Sequence, residues 1–145
     1  MIFHCVNYQT LDIPSSASAY FFDILSLNNT SFLIDSFGES PPFSYGFNIS
    51  SVVPSGYSWE VKQNRFGSCP QNLTGSIYIT SYHGPWVGIL NQYFPIRLLK
   101  NSEYYYGWVE MSTDTSKSLS YPLGKYIVHN YKINSIPNEP IWAGE

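Results

Sequence analysis

Glu103-Tyr104-Tyr105-Tyr106-Gly107-Trp108-Val109-Glu110-Met111 is the densest aromatic run of the chain, and Tyr126 to Ile133 answers it near the end. Aromatic and β-branched side chains fit the pleated, half-buried surface of a strand. The two runs therefore predict neighbouring central strands of an antiparallel sheet.

Working outward, Lys100, Asn101 and Ser102 read as a tight hairpin turn into Tyr93 to Leu99, where Phe94, Ile96 and Leu98 oppose Arg97. Pro95 lacks a backbone N–H and argues for an edge position or a bulge there. Thr113 to Gly124 reads as a polar loop. Beyond Ile133, Pro137 and Pro140 forbid a regular central strand, so Asn134 to Glu145 is predicted to lie extended across the domain, anchored by Ile141 and Trp142.

Towards the N-terminus, Phe3 to Tyr8 reads as an edge strand. Ala19 to Leu25 and Phe32 to Phe37 read as a hairpin closed by Ser26 to Ser31. The cleanest alternation is Phe43, Tyr45, Phe47 and Ile49 against Ser44, Gly46, Asn48 and Ser50, which predicts a half-buried strand. Tyr57, Trp59 and Val61 repeat the pattern. Asn64 to Gly75, rich in Gly, Pro, Asn and Ser, reads as a loop, followed by a strand over Ser76 to Tyr82, a turn at His83 to Pro85, and a strand over Trp86 to Leu90. Nine or ten short strands with no helical period predict an all-β fold, an antiparallel two-sheet β-sandwich or jelly roll. Residues 1–145 then form a single domain, with 134–145 a tail packed on it.

Composition points the same way. Aromatics make up 18% of the 145 residues and charged residues 12%, about half the usual share, which leaves little material for solvated helix faces. The net charge is -3 and the basic residues are scattered singly, so no patch exists for phosphate contacts and nucleic acid is not an expected partner. No apolar run is long enough for a membrane span. Met1 to Val6 lacks the charged start and apolar core of a signal peptide, so an exported form would have its signal removed from this chain.

Cys5 and Cys69 fit neither a zinc spacing nor a Cys-x-x-Cys motif. Two readings stand open: a single disulfide, or two buried thiols acting as small hydrophobes. Few lysines and many Tyr, Ser, Asn and Thr favour an extracellular setting. Sequons occur at Asn28, Asn29, Asn48 and Asn72, as suits surface turns.

The C-terminal third carries a resemblance. Tyr105, Tyr106, Gly107, Trp108, Val109 and Glu110, then Tyr131 and the tail Pro137, Asn138, Glu139, Pro140, Ile141, Trp142, Ala143 and Gly144, resemble a recurring ending of uncharacterised secreted proteins of the Bacteroidetes kind. That ending combines a Tyr-Gly-Trp strand, a partner strand with a Tyr, and a closing Pro-Asn-x-Pro-Ile-x-Ala-Gly segment. The resemblance implies export, to the medium or the cell envelope, and a β-sandwich. It implies no activity. Upstream, Phe22 to Ile24, Asn28, Asn29 and Ile34 to Phe37 resemble a degenerate form of the same proteins' opening hairpin, without the Asp-Gly turn.

Catalytic constellations are weak. Glu60, Glu103, Glu110, Asp23 and Asp35 show no spacing that forces a glycosidase pair. His4, His83 and His129 are isolated, and no serine stands in a Gly-x-Ser-x-Gly elbow, so neither a metal site nor a triad is expected. No cofactor follows. Trp59 and Trp108, in regular strands, read as core. Trp86, after Tyr82, His83, Gly84 and Pro85, is the best place for an exposed ring beside polar groups, and Tyr82, His83 and Trp86 form the candidate ligand site; the competing reading has Trp86 capping the core. The expected function is non-catalytic binding of a carbohydrate or a cell-envelope protein. A passive structural or adhesive domain is the alternative, with a glycan-active enzyme behind both.

Overall fold

The computed structural model describes residues 5–9, 17–24, 29–61, 64–74, 77–80, 85–114 and 125–145. Among them there is no helix, and all strand pairs are antiparallel. A four-stranded sheet takes the order β1 (Cys5–Gln9), β2 (Ala17–Ile24), β6 (Asn64–Thr74), β7 (Ile77–Thr80). A five-stranded sheet runs β10 (Lys125–Ile133), β9 (Glu103–Asp114), β8 (Gln92–Lys100), β3 (Thr30–Ile34), β5 (Ser58–Glu60). A two-stranded ribbon pairs β4 (Asn48–Ile49) with β11 (Ile141–Trp142).

The quoted stretch is β9. It pairs β10 on one side and β8 on the other, and its residues Tyr106 to Val109 are all buried. Alternate side chains leave a strand on opposite faces, so β9 feeds two cores. On the first face Val109 and Met111 join Phe94, Ile96, Phe32 and Ile34, closed over by Trp86. On the second, Tyr106 and Trp108 join Tyr93, and the ribbon lays Ile49, Ile141 and Ala143 over them. A strand buried on both sides has no polar face, which is why Tyr104 to Met111 reads as a dense run. β10, expected to be central as well, is instead the last strand of its sheet, and its Val128 and Tyr131 are exposed.

Lys100 faces Glu103 across a two-residue loop in which Asn101 and Ser102 both have positive φ, 52° and 64°. That is the mirror-image turn whose twist matches paired strands. Pro95 lies inside β8, between β9 and β3, rather than at an edge or bulge. The reason lies in the register: β3 pairs β8 only as far as Phe32 opposite Ile96, and the next partner is Phe43, bridged to Tyr93 by hydrogen bonds of 2.9 and 3.0 Å. Pro95 falls in the gap between these partners, where no ladder bond is lost.

Other expectations are corrected. β2 and β3 do not form a hairpin; β2 pairs β1 and β6, whereas β3 belongs to the five-stranded sheet. Phe43 to Ile49 is not one strand, because Gly46 turns the chain at φ 79° and leaves only the bridge at Phe43 and the short β4. Residues 86–90 form a turn, with Gly88 at φ 71°, not a strand. Asn64 to Thr74 is an eleven-residue strand rather than a loop. Its register against β2 skips from Gly67 to Arg65, so Phe66 is a bulge beside a glycine, and Pro70 stands opposite Ala19. Pairing along β2 overrides the loop composition.

The same register answers the cysteine question. Cys5 on β1 stands opposite Ile24 and Cys69 on β6 opposite Tyr20, so the two are separated by the width of β2 and by four positions along it. At ~3.4 Å per residue and ~4.8 Å per strand, that is roughly 16 Å between Cα atoms, against a limit of about 7 Å for a disulfide. The expected bridge between them is not formed in this pairing.

Candidate functional site

Trp86, the expected exposed ring, is completely buried. Its indole N–H donates to the Ser40 carbonyl at 2.7 Å, its ring stands edge-on to Phe94 at 6.2 Å, and its own carbonyl accepts from the Thr113 hydroxyl. Ile89 N–H donates to the same Thr113 Oγ1 at 3.0 Å, and Thr113 N–H to the Ile89 carbonyl at 2.7 Å, so the 86–89 turn is sewn to the end of β9. Ser40, itself buried, donates from Oγ to the Leu33 carbonyl at 2.6 Å. The capping reading of Trp86 therefore holds. The candidate site with Tyr82 and His83 loses its ring, and those two residues lie outside the described residues.

The accessible aromatics lie elsewhere, around the rim of the second-face core. Phe43, Phe47 and Tyr57 are half-buried, and Phe43 meets both of the others: the Phe43 and Phe47 ring centres are 4.1 Å apart, and Phe43 and Tyr57 5.6 Å. Two turns build this cluster. Gly46 N–H donates to the Ala143 carbonyl and Ala143 N–H to the Phe47 carbonyl, which ties the 43–47 turn to the C-terminal segment; Tyr57 N–H closes the second turn on the Pro54 carbonyl at 3.1 Å. Tyr45, exposed, stands edge-on to Tyr93. The sequence pattern marked Phe43 and Phe47 as core-facing, and a signal that they form a rim was available only in Gly46, the turn residue between them.

Trp59 and Tyr104, half-buried, border the same core, with Arg97 against both rings. The Arg97 guanidinium carbon lies 4.1 Å from the Tyr104 ring centre and 5.0 Å from that of Trp59. Trp59, expected to be core, reaches Tyr106 at 5.9 Å and donates its indole N–H to the Ser50 carbonyl at 3.0 Å. Arg97 sits opposite Tyr106 on β9 and opposite Ser31 on β3, and the small Ser31 leaves room for the long side chain to cross the sheet. Its Nη2 donates to Ser31 Oγ at 3.5 Å, while Nε is buried without an acceptor. Trp108 Nε1, on the same face, is the other buried side-chain donor lacking a partner among the described residues. Each such orphan costs about 1–3 kcal/mol. Both fall on one face of β8 and β9.

Elsewhere, His129 occupies the bulge of β10, between Val128 and Asn130, and its Nε2 meets Ser112 Oγ at 2.7 Å. Ser112 accepts from Asn91 N–H at 2.9 Å and donates to Asn91 Oδ1 at 3.1 Å. The set is a brace holding Asn91 in its positive-φ turn, φ 49°. Among the described residues no group of three or more His, Cys, Asp and Glu is placed to hold a metal ion. No helix of the described residues is long and apolar enough to cross a membrane.

Compared with protein-family models, with curated proteins and with solved structures, the chain matches none.

Proposed function

We propose that this chain is an exported, non-catalytic binding domain whose ligand is a carbohydrate, bound on the aromatic rim formed by Phe43, Phe47 and Tyr57 with Trp59 and Tyr104. The observation that carries the reading is the contact of three half-buried rings on a frame fixed by backbone hydrogen bonds at both turns. Flat apolar area presented at low entropic cost suits the faces of sugar rings. We read the two larger sheets as the layers of a sandwich within a single domain, which leaves the rim at one margin of the second-face core.

A second reading, protein contact at the cell envelope, is favoured by a different surface: Val128 and Tyr131 on β10 and Ile136 just beyond it are 47%, 61% and 58% exposed. Exposed apolar residues grouped on an outermost strand mark contact surfaces in soluble proteins.

Titration of the protein with soluble polysaccharides, followed by tryptophan fluorescence and calorimetry, tests the first reading against the second. Saturable binding that Tyr57→Ala weakens by roughly tenfold, the equivalent of about 1.4 kcal/mol, is the expected result. A flat response across neutral and acidic glycans overturns it and leaves the β10 surface as the working site.

A further inference from the structure

Arg97 is the feature the rim does not need for stacking sugars. A guanidinium is a permanent cation with donors arranged in a planar fork, and it is ordinarily matched by a carboxylate or phosphate. Here the side-chain hydrogen bond it makes among the described residues is with Ser31. Among the described residues its charge lies against the ring faces of Tyr104 and Trp59. Of its nitrogens, Nε is buried without an acceptor and Nη2 makes one long bond to Ser31. Nη1 is not one of the buried unpartnered atoms. The side chain is thus held between two rings that border the same core as the half-buried Phe47, in a chain of net charge -3.

We infer that Arg97 is the anion-reading residue of this surface, and that the glycan it takes carries an oxyanion, a carboxylate or a sulfate ester, on a sugar next to the one stacked on the rings. The inference rests on the proposed carbohydrate site and assigns it a ligand class. Pre-ordering by the rings lowers the entropy lost when the guanidinium engages the anion. The low-charge surroundings let a single cation discriminate between an acid and its neutral ester.

The test uses the unmodified protein and one oligosaccharide in two forms, an oligouronate and its full methyl ester, with a sulfated and a neutral oligosaccharide of equal length alongside. Expected is binding of the oligouronate that the ester weakens at least tenfold and that falls with added salt. Arg97→Gln should abolish the preference for the acid, so that acid and ester bind alike, whereas Tyr57→Ala should weaken both and keep the preference. Binding of the sulfated but not the carboxylated sugar also supports Arg97 as the anion reader and identifies the oxyanion. Equal binding of acid, ester and neutral sugar overturns the role of Arg97 and leaves the carbohydrate site standing. Absence of binding to all four overturns both. The ester comparison does not depend on whether Arg97→Gln folds.

Discussion

Gly107, the centre of the Tyr-Gly-Trp run, is a glycine for want of space. A Cβ built there would lie 2.4 Å from the Lys132 carbonyl oxygen and 2.9 Å from Ile133 Cγ1, so β10 approaches β9 more closely than any side chain permits. Gly107→Ala should cost about 1–3 kcal/mol, the range of an overpacked core, visible as a lower denaturant midpoint; an unchanged midpoint would mean the strands part without penalty. Gly144 has a different reason: φ is +89° and a Cβ would meet the Tyr45 ring and the Tyr93 hydroxyl. Tyr93 itself carries a pH signature. Burial first, then Glu110, then Tyr45, push its phenol above the ordinary 10.0, so the folded protein favours the neutral form. Its contribution is complete below pH 10 and is lost as pH rises through the higher folded value. Tyr93→Phe should flatten the decline of stability on the alkaline side, which urea titrations between about pH 9 and 11 measure directly.

Among the elements, β9 was legible because burial on both faces wrote an uninterrupted apolar run, and the Asn101-Ser102 turn because its residue types tolerate positive φ. β8 was read correctly as a strand, but its place was not, since Pro95 is harmless only through a gap between β3 and Phe43 that no local pattern encodes. Phe43 to Ile49 misled for the opposite reason: perfect alternation is what a strand needs, yet one glycine turned the chain within it. The C-terminal segment was expected to run extended, but it turns at Pro137–Asn138 and again at Ala143–Gly144, with Asn138 and Gly144 at positive φ. Its grip differs from expectation, with Ile141 and Ala143 buried and Trp142 turned 42% outward. Asn134 and Asn138 carry β9's outer edge onward once β10 ends, their N–H groups donating to the carbonyls of Tyr106 and Tyr104 at 2.8 and 2.7 Å. Asn138 also accepts from Tyr104 N–H through its side chain. Ile141→Ala should cost about 2–5 kcal/mol as a buried truncation, and Trp142→Ala should leave the thermal midpoint nearly unchanged; equal losses would show that the outward ring is an anchor after all.

At the scale of the molecule, what escaped the sequence was partnership. Period-2 patterns locate strands, but they do not say that β2 and β3, neighbours in sequence, join different sheets, nor that β6, built of residues typical of loops, lies between β2 and β7. The expectation of an exposed Trp86 failed for the same reason. Trp86 looked exposed because it follows a turn, and its burial depends on Ser40, Phe94 and Thr113, which are distant in sequence. Arg97 and Trp59 were visible as residues, and their meeting was not. The sheet order predicts a gradient of amide protection, slowest exchange in β9 and β8 and fastest in β10 and β5 at the outside. Hydrogen-exchange mass spectrometry would read it, and a β10 as protected as β9 would contradict this order.

The ribbon that covers Tyr106 and Trp108 is made from residues on either side of them in the chain, Asn48–Ile49 before and Ile141–Trp142 after. As the ribosome releases the chain from its N-terminus, the first-face residues from Phe32 to Met111 emerge before residue 141 does. The second core has no such freedom. Tyr93, Tyr106 and Trp108 wait uncovered until the closing segment has left the ribosome, so this half of the molecule folds only after translation has passed it, and its aromatic residues are the ones a chaperone would meet first.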